Sequence, residues 1–232
     1  MIIAGWGNNK IIRSDIFYPK NEQEIIEILK KLNNEGIITR GLGRSYGDMS
    51  LYKNTLSLER YSKIFELDEK NGILNCSSNL SIAEMLEKIV SKGWFLNVTP
   101  GSKYVTIGGA IANDVHGKNH HKDGSFSEYV KEMKIITPNG KINICSSKSE
   151  NELFKATCGG AGLTGVIVSI KLKLLKIKSK NLNVEIFKTK SIDDTIQKFR
   201  ELNENKYLVA WLDTINKKNF GKAVIFSGDH SE

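Results

Sequence analysis

The chain has 232 residues, 40% of them hydrophobic and 26% charged, with 34 Lys and Arg against 26 Asp and Glu for a formal net charge of +8. That composition is that of an ordinary globular protein, and it argues against a membrane bundle, since no uninterrupted apolar run reaches the length of a span. The lysines are scattered without interleaved aromatics, so nucleic acid is not an expected partner. Cys76, Cys145 and Cys158 are isolated, with no C-x-x-C pair, which argues against a disulfide scaffold or a metal site and fits a reducing compartment.

The opening MIIAGWGNNK lacks the apolar core of a signal peptide. A cytoplasmic location with at most peripheral membrane contact is expected. Residues 21–35 place Ile25, Ile28, Leu29 and Leu32 at helical spacing before Gly36. The β-type run Gly36-Ile37-Ile38 then leads into TRGLGRSYGD, residues 39–48, in which Gly41, Gly43 and Gly47 bracket Arg44, Ser45 and Tyr46. A loop leaving a strand is where open α/β sheets bind ligands. Arg44 can pair with a phosphate, and Tyr46 can stack on a planar ring. IFELDEKNGILNCS reads as a hairpin, and residues 81–92 as a helix opened by a Ser81/Glu84 capping box and stopped at Gly93.

Residues 99–121, TPGSKYVTIGGAIANDVHGKNHH, form the densest signal. Gly101, Gly108 and Gly109 allow close approach of a ligand to the main chain, and successive bare N–H groups would form a nest for phosphate oxygens. Thr106 adds a hydroxyl, and His116 and Lys118 add a titratable ring and a cation. VKEMKIITPNGKINICS fits a second hairpin, with Asn139-Gly140 expected in a type I′ turn. SENELFKAT is expected to be a helix capped by Ser149 with Glu152. GGAGLTG follows it with Gly160, Gly162 and Gly165 at dinucleotide-fingerprint spacing. The order here is helix then strand, the reverse of a Rossmann unit, so that reading is rejected. VIVSIKLKL alternates as a half-buried strand, with the lysines of 171–180 on a solvated face. Residues 191–203 put Ile192, Ile196, Phe199 and Leu202 on one helix face. The pattern of helices and hairpins indicates an α+β class.

GLGRSYGD, TPGSKYVTIGGAIANDVHGKNHH and GGAGLTGV, in this order, resemble the FAD-binding half of the decaprenylphosphoryl-β-D-ribose 2′-oxidases, a family of the vanillyl-alcohol-oxidase superfamily. The resemblance implies a PCMH-type, two-lobed FAD-binding domain over residues 1–177, followed by the beginning of a truncated substrate domain over 178–232. It implies non-covalent FAD. From the first segment the cofactor-binding candidates are Thr39, Arg40, Gly41, Leu42, Gly43, Arg44, Ser45, Tyr46, Gly47, Asp48 and Met49. The second contributes Gly101, Thr106, Ile107, Gly108, Gly109, Asn113, Asp114, Val115 and His116, and the third Val166 and Ile167.

His116, Lys118 and Tyr46 match family positions beside the flavin ring and substrate. The implied reaction is oxidation of a sugar hydroxyl to a ketone, with hydride passing to flavin N5. The implied substrate is a prenyl-phosphoryl pentose on the way to cell-wall arabinan, and a separate NAD(P)H-dependent ketoreductase would complete an epimerisation. A flavin oxidase of another sugar, alditol or aldonolactone stays open, as does a non-catalytic FAD-binding fragment.

Overall fold

The computed structural model describes residues 1–215 and 220–232. An N-terminal hairpin, β1 (Ile2–Ala4) with β2 (Ile11–Arg13), leads into a small parallel sheet of order β3-β5-β4, formed by β3 (Asp15–Phe17), β4 (Ile38–Arg40) and β5 (Asn54–Ser57). The crossover between β3 and β4 is α1 (Glu22–Lys31). The Asn21 side chain caps it by accepting from the Glu24 N–H. Its apolar stripe buries Ile25 and Leu29 against Leu56, Leu58 and Ile136.

A second, antiparallel sheet follows. It contains β6 (Phe65–Asp68), β7 (Ile73–Ser77), β8 (Trp94–Leu96), β9 (Val130–Ile136), β10 (Ile142–Cys145) and β11 (Val166–Lys176), in the order β10-β9-β11-β7-β6, with β8 pairing the far end of β11. Between β7 and β8 runs α2 (Ile82–Ile89), and the capping box is present in both directions between Ser81 and Glu84. Between β8 and β9 lie α3 (Ile107–Ala112) and α4 (His120–Asp123), and α5 (Asn151–Thr157) precedes β11. Helix then strand around residues 159–165 is the order that rules out a Rossmann unit.

Strand β11 joins two cores. Val166 and Val168 pack with α1, whereas Ile167, Ile170, Leu172 and Leu174 pack with Met85, Ile89 and Ile111. A register shift between Ile167 and Ser169 changes the parity of the strand and allows both faces to be buried. A separate three-stranded sheet, β12 (Leu182–Lys188), β13 (Tyr207–Leu212) and β14 (Ala223–His230), has order β12-β14-β13 and carries α6 (Ile192–Glu201) over its own small core. The whole is a mixed α+β arrangement. Among the described residues no helix is long and apolar enough to cross a membrane.

Three local expectations need correction. The 137–140 turn is not type I′, because Gly140 (φ 80) has positive φ and Asn139 does not. Pro138, with φ preset by its ring, starts the turn one residue earlier, and the Gly140 N–H donates to Thr137 O at 2.8 Å. Ser149 does not cap α5. Its own N–H donates to Ser146 Oγ, and the chain enters the helix through Glu150 at φ 50. In α6, Ile196 is 46% exposed, and Thr195 takes the inward position, bonded to Thr189 and to Gly221 O.

Candidate functional site

Two glycine-rich segments meet at one point. The loop that leaves the carboxyl end of β4 passes the N-terminus of α3 so closely that a Cβ on Gly41 would lie 2.5 Å from Thr106 Oγ1. Thr106 caps α3 by accepting from the Gly109 N–H at 3.1 Å. Around this contact opens a cleft of about 860 Å³, inside the roughly 300–1,000 Å³ range of ligand sites. The first segment lines it with Thr39, Arg40, Gly41, Leu42, Gly43, Arg44, Ser45, Tyr46 and Met49. The second contributes Gly101, Thr106, Gly108, Gly109, Asn113 and Val115, and β11 contributes Ile167.

The backbone donors are not where the glycine count of the second segment suggests. The N–H groups of Ile107 and Gly108 are already taken by Leu80 O and Ser78 O, each at 2.9 Å, and that of Gly109 by Thr106 Oγ1. Gly108 is needed because a Cβ there would press on Ser78 Cβ at 2.9 Å, so its role is close packing of helix on chain. The bare-nest reading of that segment is therefore corrected. The N–H groups of Leu42, Gly43, Arg44 and Tyr46 have no acceptor among the described residues. Gly43, at φ 65, leaves room for the Arg40 guanidinium, which spans to Ala4 O at 2.6 Å and Ser50 Oγ at 3.0 Å. Partial burial lowers the Arg40 pKa from its ordinary value. Arg40 thus pins the loop, while Arg44 has no carboxylate partner among the described residues.

Several candidate residues lie off the cleft lining. The side chains of Ile107 and Val166 are buried in the cores. Gly47 is off the lining, and Asp48 points to solvent and pairs with Lys10 at 3.1 Å. Asp114, at φ 39, accepts from Ser125 Oγ and the Ser127 N–H and shapes the turn after α3. His116 is exposed, its ring 5.6 Å from that of His120. Lys118 is exposed, and its carbonyl accepts the Leu208 N–H at 2.8 Å. Of the three catalytic candidates only Tyr46, 76% exposed, faces the cleft. A Cβ on Gly117 would lie 2.6 Å from Asn119 Oδ1 and 2.8 Å from Thr99 O, so a larger residue would not fit there without a shift.

Other lining residues escaped the sequence reading. Trp6 comes from the N-terminal hairpin. Ala161, Gly162 and Gly165 come from the third glycine segment, with φ of 52°, 77° and 147°. That glycine cluster was itself the available signal. At the far end Lys63 pairs with Glu84, and this pairing, followed by the Ser81 backbone N–H, holds the Glu84 carboxyl down at about 2. Asn79 Nδ2 donates to Leu58 O and Tyr61 O, leaving its buried Oδ1 without a partner. Among the described residues no group of three or more His, Cys, Asp or Glu is placed to hold a metal ion.

Comparison with known proteins fits this geometry. Residues 14–146 match the family model described as FAD binding domain. The chain is 31% identical to the decaprenylphosphoryl-beta-D-ribose oxidase of Mycolicibacterium smegmatis, over 97% of this chain and 51% of that protein. It is 26% identical to the D-lactate dehydrogenase of Anaerostipes hadrus, over 52% of this chain and 26% of that protein. With a putative D-arabinono-1,4-lactone oxidase of Neurospora crassa it shares 24% identity, over 67% of this chain and 28% of that protein. The chain spans about half the length, or less, of these curated relatives.

Proposed function

The chain belongs to the FAD-binding-domain family, and from that premise we propose that it binds FAD non-covalently in the cleft and serves an oxidoreductase acting on a sugar CH–OH group. The observation that carries this reading is the junction of the Gly41–Tyr46 loop with the Thr106 cap. There a Cβ on Gly41 would meet Thr106 Oγ1, several N–H groups lack acceptors among the described residues, and Arg44, with no carboxylate partner among those residues, lines the same space. Those features suit a dinucleotide with a diphosphate at its centre.

In this reading residues 1–177 are a PCMH-type domain whose two lobes are the small parallel sheet and the larger antiparallel sheet. Residues 178–232 begin the substrate domain. The Leu42–Tyr46 N–H groups and Arg44 hold the diphosphate, and Asn113 and Ile167 border it. Bound FAD supplies a hydride acceptor. Tyr46, on the cleft lining, orients the sugar. His116 and Lys118, exposed just outside that lining, meet the part of the substrate that extends from the cleft. There Lys118 offsets charge on the substrate oxygen and His116 helps to orient the sugar. Holding the reacting C–H in place lowers the barrier. Similarity to the M. smegmatis protein supports a polyprenyl-phosphoryl ribose as substrate. A separate ketoreductase as partner and work at the cytoplasmic membrane surface are further parts of this proposal. The D-arabinono-1,4-lactone oxidase match favours a second reading, an aldonolactone or other free sugar.

Purified protein should carry a flavin that runs as FAD after release, and acid precipitation should leave a colourless pellet. A yellow pellet would mean a covalent bond, with His116 the first residue to test. Recovery of NAD(P) in place of flavin would overturn the assignment.

A further inference from the structure

The N-terminal hairpin, which sends Trp6 to the cleft, is built into the loop that lines it. The Trp6 N–H donates to Ser45 O at 2.8 Å. Gly5 and Gly7, on either side of Trp6, run against the backbone of residues 45–47. A Cβ on Gly5 would lie 2.7 Å from Gly47 O, and one on Gly7 would collide with Tyr46 O. One residue earlier, Ala4 O receives the Arg40 guanidinium. Main chain therefore lies on main chain along this stretch, and Trp6 is the one side chain it carries to the cleft.

That side chain is 58% exposed, an unusual place for a tryptophan whose packing is its main asset. What it packs against is Arg44, with Cζ 5.1 Å from the ring centroid. Arg44 has no ion pair or hydrogen bond to any other described residue. An arginine held over an aromatic face uses none of its N–H donors in that contact, which leaves them for an anion.

We infer that Trp6 is a positioning residue: it holds the Arg44 guanidinium in the cleft for the anionic, diphosphate part of the ligand. The hairpin β1–β2 thereby becomes a wall of the binding site. This inference rests on the FAD reading and adds a residue to it.

The test is a double-mutant cycle on flavin-free protein, with FAD affinity read from quenching of flavin fluorescence. Trp6→Ala should weaken FAD binding by about 2- to 30-fold, the span of a cation–π contact from exposed to desolvated. Trp6→Phe, which keeps an aromatic face, should recover most of the loss. In an Arg44→Ala background Trp6→Ala should cost nothing further. Circular dichroism and denaturation midpoints report whether each variant is folded, and the Phe variant keeps the comparison valid if the Ala variant is not. Equal losses in both backgrounds, or no recovery by Phe, would overturn the positioning role. Wild-type protein that takes up no FAD would overturn the functional reading itself, and this inference with it.

Discussion

Gly41→Ala tests the contact on which the site depends. The added Cβ would stand 2.5 Å from Thr106 Oγ1 and 3.3 Å from its Cγ2. Gly41 has no positive φ, so the cost comes from space and not from backbone strain. Thr106 can escape only by rotating, which withdraws Oγ1 from the Gly109 N–H and uncaps α3. Overpacking of this kind costs about 1–3 kcal/mol, and loss of a threonine cap about 1 kcal/mol. Thr106→Ala alone should therefore cost about 1 kcal/mol and Gly41→Ala about 1–3 kcal/mol. The double variant should fall short of their sum by about 1 kcal/mol, because the collision partner is gone and the cap is lost only once. Guanidinium denaturation of the four proteins measures this, and flavin content after purification reads the effect on the cleft. Additivity within about 0.5 kcal/mol, or a neutral Gly41→Ala, would show that the loop and α3 do not meet as described.

Lys206→Met should cost about 1.5–3 kcal/mol, since it leaves the partly buried Asp123 without its 2.6 Å cation. It should also open the 178–232 segment to limited proteolysis, and an unchanged cleavage rate would refute the link between α4 and the third sheet. His230 lies between Phe95 and Tyr207, and burial lowers its pKa below the ordinary 6.5. The unfolded chain then takes up a proton that the folded one resists. Stability should be full above 6.5 and decline as pH falls below it, and His230→Phe should flatten that slope in denaturation midpoints taken across this window. Glu84→Ala removes a capping box and the Lys63 pair. It should cost about 1 kcal/mol at neutral pH, and the acid-side loss of stability between the ordinary carboxyl value of 4.5 and about 2 should shrink. A variant as acid-sensitive as wild type would place that loss at other carboxylates.

Much of this protein is written in short-range terms. The capping box of Ser81 with Glu84, the apolar stripe of Ile25 and Leu29, the alternation of Ile170, Leu172 and Leu174 and the 64–77 hairpin all depend on neighbours within a few positions. Each could be read before any fold was known. The glycine segments likewise announced a cradle, because positive φ and close approach demand glycine whatever surrounds it.

Which N–H groups of that cradle are free was a different matter. Ser78 O and Leu80 O, far back in the chain, consume the donors of α3 that looked bare, and those of the Arg44 loop stay open. Trp6 reached the cleft only because two glycines let one backbone lie against another some forty residues away. His116 and Lys118 lie outside the cleft lining, beside a loop whose Lys118 carbonyl is joined to Leu208 of the third sheet. Hydrogen-bond partners across such separations are chosen by how the layers pack, and local pattern carries no record of that choice.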